Sequence, residues 1–384
     1  MKWRRVKLGE ILESSKECRF VEHPLDEKLI SVQLHGKGAV QRVLSQEKAP
    51  SPFKGFVGRE GQIVYSRIWA RKGAIAKIGK DLDGVVVSSE FPLFNVCPVA
   101  DINYLIYAFQ SSSFKQQLEL AGAGTSGQNR IKEKAFLNFE IPLPPLGEQK
   151  RIAEILGKVS KAIQQVEGQL ERTQELSLSV VDNFVKNELV DTQPLYELVE
   201  FRGGSTPSKK NDDFWDDGNI RWFTSKDLKL NELVDSIDHV TESAIKNTAL
   251  KPVSNIKAIA ISLRGMSLAH RVPMSVIPAN SCVNQDLKAL IPKAEMDVSV
   301  IFALLKREEA YLLTKVTTSA HGTKKLDFPH VKNLQIPKLS SVQISKIKLQ
   351  LEHINQLNHL LHRKLSLLQE LQKSLATQAF AGLL

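Results

Sequence analysis

The chain contains a copy of part of itself. FLNFEIPLPPLGEQKRIAEIL at 136–156 returns as VKNLQIPKLSSVQISKIKLQL at 331–351, 195 residues later when counted from Ile141 to Ile336. A repeat on this scale points to one architecture built twice. Each copy begins as a strand-like stretch and stops at Ile-Pro, because proline cannot donate to a ladder. A long helical pattern follows. In the first copy Ile152, Leu156, Val159, Ile163, Val166, Leu170, Thr173, Ser177, Val180 and Phe184 alternate steps of four and three, an a/d heptad seam. The second copy keeps that register through Ile347, Leu351, Ile354, Asn358, Leu361, Leu365, Leu368, Gln372, Leu375 and Ala379. Both seams are narrow and of equal length, so the simplest burial sets one against the other. If they pair antiparallel and end to end, Ile152 faces Ala379, Thr173 meets Asn358, and Val159 faces Gln372, a mismatch.

The repeat extends beyond the helices. LGEIL at 8–12 resembles LYELV at 195–199, and IVYSRIWARKGA at 63–74 resembles IAISLRGMSLAH at 259–270. VSSEF at 87–91 resembles VNQDL at 283–287, and the turn GAGTSGQNRI at 122–131 matches TSAHGTKKL at 318–326. The order is globular, helix, globular, helix: residues 1–147, 148–189, 190–339 and 340–384. The expected fold class is α/β, with two pseudo-repeated α/β domains separated by two long antiparallel coiled-coil helices.

Composition narrows the function. The net charge of +10 favours a polyanionic partner, since clustered Lys and Arg bind phosphate by releasing counterions. The excess is concentrated in residues 1–147, where basic residues outnumber acidic ones by 21 to 15. No apolar stretch approaches a membrane span, and MKWRRVKLGEILESS lacks an export signal's apolar region, so a cytoplasmic location is expected. Cys18, Cys97 and Cys282 are far apart and have no metal spacing; reduced core thiols are expected. Lys37, Lys80 and Lys158 each follow a glycine but precede Gly38, Asp81 and Val159, so none completes a nucleotide-binding loop. There is no Asn-Pro-Pro-aromatic run, no Gly-rich cofactor turn and no histidine spacing for a metal. These absences point away from an enzyme, from a cofactor and from a resident metal.

Two segments carry a specific resemblance. IPLPPLGEQKRIAEIL at 141–156 resembles the opening of the central conserved region of Type I restriction-modification DNA specificity subunits. FRGGSTPSKKNDDFWDDGNIRWFTSKDL at 201–228 resembles the opening of one class of target-recognition domain in that family, whereas the first head reads LISVQLHGKGAVQRV at 29–43 and belongs to a different class. The resemblance implies two α/β recognition domains in inverted orientation about a pseudo-two-fold, with the conserved helices antiparallel between them. It further implies double-stranded DNA as ligand and two methyltransferase subunits, which carry S-adenosylmethionine. Restriction subunits that cleave with ATP complete the complex, and this chain supplies neither activity. The target would be asymmetric and bipartite. At about 1.5 Å per residue, the 42 residues of 148–189 span at most roughly 63 Å, about two turns of B-DNA at roughly 34 Å each. A coiled-coil scaffold for other proteins is the competing reading, and an enzyme fused to recognition domains a remoter one.

Candidate DNA contacts in the first head are Lys37, Arg59, Arg67, Arg71, Lys72, Lys77 and Lys80, interleaved with Tyr65 and Trp69. Gln128, Asn129 and Arg130 join them, beside a glycine-rich turn whose N–H groups can approach phosphate. In the second head the candidates are Lys209, Lys210, Ser225, Lys226, Arg264, His270, Arg271, Lys324 and Lys325, with Trp215 and Trp222 assigned to the core.

Overall fold

In the computed structural model, which describes residues 3–44, 50–121, 130–186, 191–293, 296–319 and 321–384, both Ile-Pro pairs of the repeat end a strand. Glu140–Pro142 runs antiparallel to Arg5–Lys7, with Ile141 opposite Val6. Gln335–Pro337 runs antiparallel to Thr192–Pro194, with Ile336 opposite Gln193. Each ladder has only two strands, so the missing proline donor interrupts no central hydrogen bond. The chain divides into two units, Met1–Glu167 with Lys364–Leu384, and Gly168–Arg363.

In the first unit a four-stranded antiparallel sheet runs in the order Leu12–Ser14, Leu93–Val96, Ile63–Tyr65, Ile75–Lys77. A three-stranded sheet, Cys18–Val21, Phe53–Gly58 and Val85–Val87, lies beside the hairpin Ile30–Val32 and Ala39–Gln41. Tyr65, Phe94, Phe114 and Phe136 are fully buried, with Tyr65 stacked on Phe136 at 4.2 Å. Tyr65 is therefore core and not a DNA contact: its hydroxyl donates to the Ile131 carbonyl at 3.1 Å, and burial pushes its pKa up. The strand's alternation turns Tyr65 inward, which proximity in sequence to basic residues does not reveal.

The second unit repeats the sheet with the same strand order: Val199–Gly203, Leu287–Pro292, Ala258–Ser262, Met274–Ile277. The three-stranded sheet differs, with Ile220–Phe223 between Asp238–Val240 and Cys282–Val283, and its pairing to Cys282–Val283 is parallel. The helix Val298–Arg307 begins at Asp297, whose carboxylate accepts from the Ser299 N–H at 2.9 Å.

Two helices of 41 residues each, the central helix Leu146–Lys186 and the distal helix Ser341–Ala381, carry the seams. Their seam residues are buried or half-buried along the whole length. In the first unit Ile152, Leu156 and Ala379 enter the α/β core, and in the second Val180, Ile347, Leu351 and Ile354 do so. The seams therefore meet and also seal the cores beneath them, where the narrow stripe alone suggested helix-to-helix burial. Gln372 finds its partner in Ser160, one residue past Val159, with the Gln372 amide donating to Ser160 Oγ at 2.8 Å. That bond resolves the mismatch with Val159.

The cysteines are free, but only Cys282 is buried, where desolvation pushes its thiol up to about 12. Cys97 is half-buried and Cys18 exposed, correcting the expectation of three core thiols. Cys18 opens a strand whose first three residues are all exposed, so its side chain has no core to enter. Among the described residues no helix is long and apolar enough to cross a membrane.

Candidate nucleic-acid interface

In the first unit the connection from Tyr65 to Ile75 folds into a compact basic cluster. Ala70–Lys72 form one tight turn closed by Gly73 in the left-handed region at φ 78°. The Gly73 carbonyl accepts from the Gly36 N–H at 2.9 Å, which docks the turn preceding Lys37 onto the turn carrying Arg71 and Lys72. A Cβ at Gly73 would meet backbone atoms of His35 and Gly36 at 3.2 Å, so this approach requires glycine. Trp69 is exposed, with Lys72 Nζ 5.0 Å above its ring. Arg67 pairs with Glu133 at 3.4 Å and Arg130 with Glu90 at 2.5 Å. Lys37, Arg67, Arg71, Lys72 and Arg130 thus share one loop cluster, while Gln128 and Asn129 lie outside the described residues.

The run from Arg59 to Lys80 does not form one patch. Ile63–Tyr65 and Ile75–Lys77 are antiparallel with Ile63 opposite Lys77, so the hairpin carries Arg59, Lys77 and Lys80 to the end away from Arg71. There Arg59 pairs with Glu17, whose carboxyl it holds below the ordinary range, and Lys77 donates to Asn103 at 2.6 Å.

The second unit brings its candidates together more completely. Arg264 bridges Lys325 through the backbone, Gly265 N–H donates to the Lys324 carbonyl at 3.1 Å, and Leu326 N–H donates to Leu263 at 2.9 Å. Arg271 reaches the Leu228 carbonyl at 3.0 Å, tying the connection 263–273 to the turn that holds Ser225 and Lys226. That turn is fixed by Asp227, which accepts from the Thr224 N–H and hydroxyl and from the Ile237 N–H. His270 is exposed at the end of the Met266–Ala269 turn. Lys209 and Lys210 are exposed on a loop stapled from below: Trp222 donates to Ser205 and Trp215 to Ser208, both at 3.1 Å, with the two indoles 5.0 Å apart. Trp222 is buried and Trp215 half-buried, as a structural pair.

One junction is built identically in both units. Arg67 N–H donates to Glu90 and Arg67 carbonyl accepts from Ile131; Leu263 N–H donates to Asp286 and Leu263 carbonyl accepts from Leu326. It joins the post-strand connection, the segment VSSEF or VNQDL, and the turn near 130 or 325. All three echoes are legible in the sequence, but no motif there singles out Thr206 and Gln285, which the second junction exposes, or the buried Asn284 beside them. Gly204 lets the loop 203–210 cross this site, since a Cβ there would lie 1.7 Å from the Val283 carbonyl oxygen. The side chain of Thr206 then hydrogen-bonds the Gln285 amide oxygen. Among the described residues there is no group of three or more His, Cys, Asp or Glu that could hold a metal.

Residues 1–173 and 187–368 match the family model described as Type I restriction modification DNA specificity domain. The specificity subunit of the Escherichia coli enzyme EcoR124I/EcoR124II is 26% identical over 207 residues, covering 52% of this chain and 51% of that protein. The MjaIX specificity subunit of Methanocaldococcus jannaschii is 24% identical over 285 residues, covering 66% and 63%. The matches thus span about half to just under two thirds of these curated relatives. Among solved structures, the Type-I restriction-modification S subunit from M. genitalium is similar at a TM-score of 0.58 and 16% identity, covering 99% of this chain and 96% of that one. A chain from work on complex assembly and conformational transition of the type I R-M system matches at 0.53 and 17%, covering 100% and 98%. At such identities the likeness is one of fold.

Proposed function

The chain belongs to the Type I restriction-modification DNA specificity family, and from that premise we propose that it reads an asymmetric bipartite DNA site without catalysis of its own. Residues 1–147 and 190–339 each read one half, and the helical segments 148–189 and 340–384 hold the two readers. The observation that carries this reading is the loop junction made twice by the same backbone hydrogen bonds, with different side chains presented each time. A repeated frame with divergent loops suits two readers of two different sequences. Two binding modules on one chain also make the second contact effectively intramolecular.

In this reading Lys37, Arg71, Lys72, Lys209, Lys210, Lys226, Arg264, Lys324 and Lys325 face phosphate, where Lys mainly neutralises charge and fixes register. Arg59 and Lys77, at the other end of their hairpin, are not part of that contact. Two methyltransferase subunits dock on the helices, along the exposed stripe Glu167, Glu171, Glu175 of the central helix and the exposed Leu349, Leu360 and Leu367 of the distal helix. Restriction subunits join that assembly.

The test is to co-express the chain with its methyltransferase subunits and map N6-methyladenine across genomic DNA. A single bipartite motif, lost when this gene is removed, supports the proposal. Methyl transfer or cleavage by the purified chain alone overturns it, as does salt-insensitive or absent DNA binding.

A further inference from the structure

We propose that Gln285 is a base-reading residue of the second half-site and that it recognises an adenine. The inference rests on the DNA-reading function above and assigns a specificity role within it. Gln285 is exposed at the apex of the VNQDL segment, while Cys282, Val283 and Leu287 on either side are fully buried and Asn284 nearly so. The backbone of the apex is held from three directions. Asn284 N–H donates to the Phe223 carbonyl at 3.0 Å, Leu263 N–H donates to the Asp286 carbonyl at 2.9 Å, and the Asn284 side chain accepts from the Asp286 N–H at 3.2 Å. A backbone tied in place therefore projects one exposed side chain.

That group is itself oriented. The Thr206 hydroxyl occupies one lone pair of the Gln285 amide oxygen, across the crossing that Gly204 permits. Among the described residues the second lone pair and both amide N–H groups stay available, the donor and acceptor pair that matches adenine N6 and N7 in the major groove. A preoriented amide loses less rotamer freedom on binding than a free one. Arg264, Lys324 and Lys325 belong to the same junction, since the Leu263 N–H that holds Asp286 precedes Arg264 and the Leu263 carbonyl accepts from Leu326. They supply phosphate contacts that would hold the apex against a duplex. In the first unit the equivalent position is Ser89, whose short hydroxyl does not discriminate among bases in this way.

The experiment uses the full chain assembled with its methyltransferase subunits, once the wild-type target is known from methylation mapping. Duplexes in which each base pair of the target is changed in turn are then bound by wild type, Gln285→Ala and Thr206→Val. Gln285→Ala should lower discrimination at one A·T pair of one half-site by about tenfold to a hundredfold, the worth of one bidentate pair, and leave the other half-site unchanged. Thr206→Val, which keeps the amide but frees it, should lower discrimination at the same pair by a smaller factor. Because Gln285 is exposed, melting temperature should not move. Unchanged discrimination at every position in Gln285→Ala, or a uniform loss across both half-sites, overturns the assignment while leaving the wild-type target intact. A wild-type assembly with no sequence preference removes the underlying function as well.

Discussion

The Thr173 hydroxyl of the central helix hydrogen-bonds the Asn358 amide oxygen of the distal helix, at seam positions that are otherwise mostly apolar. Thr173 is buried and Asn358 half-buried. A polar residue at a seam position costs stability and selects one register, because any slip leaves it facing hydrocarbon. The single Thr173 proton has a second acceptor within reach, the Leu170 carbonyl at 2.8 Å, so the hydroxyl keeps a partner if Asn358 is replaced. Asn358→Leu should therefore raise thermal stability, by about 1 kcal/mol or roughly 2–4 °C for a unit of this size. Thr173→Val should lower it by a similar amount, since Asn358 then loses its cross-helix partner. Calorimetry on the two variants decides the matter, and destabilisation by Asn358→Leu would refute the register role.

Gln149 bears a larger load. It is fully buried and makes three bonds: its oxygen accepts from the Asp101 N–H at 2.7 Å, and its amide donates to the Pro144 and Val99 carbonyls at 2.8 and 3.0 Å. The central helix is thereby tied to the start of Ile102–Ala108. Gln149→Leu fills the volume but strands one N–H and two carbonyls, so it should cost about 3 kcal/mol or more. Denaturant titration should show a lower midpoint for the transition of the first unit.

In the second unit the helix Val298–Arg307 is held at both ends by ions. Lys348 of the distal helix pairs with Asp297 at 3.1 Å, and Arg307 pairs with Asp182 of the central helix at 2.8 Å. Burial pushes the Asp297 carboxyl up, but the Ser299 hydroxyl and N–H and the Lys348 ammonium outweigh it and leave it below the ordinary value of 3.8. A depressed carboxylate stabilises the fold above its unfolded pKa, and that stability is lost as pH falls through the folded value. Asp297→Asn preserves the helix cap and removes the charge. It should lower stability at pH 6 and converge with wild type as pH drops below about 3.8; a constant difference across that range would contradict the ionic account.

Gly204→Ala tests the loop crossing. With the new methyl 1.7 Å from the Val283 carbonyl oxygen, backbone must move. Loss of sequence discrimination at the second half-site is expected, with the first half-site intact, when the assembled variant is assayed by methylation mapping.

The repeat, the two helices and the pairing of Thr173 with Asn358 were readable in the amino-acid string because they depend on periodicity. A heptad places residues on one face of a helix whatever surrounds it. The Ile-Pro strand ends were readable for a similarly local reason, the absent proline donor. What tertiary structure decided was convergence. Tyr65 and Trp69 stand four residues apart, yet the first stacks on Phe136 inside the core and the second is exposed beside Lys72. Arg59 and Arg71 belong to one basic run, yet an antiparallel hairpin sends them to opposite ends. Thr206 and Gln285 are 79 residues apart and meet only because Gly204 lets one loop cross another. Loop side chains take their neighbours from the folding of distant strands, and no local periodicity encodes that geometry.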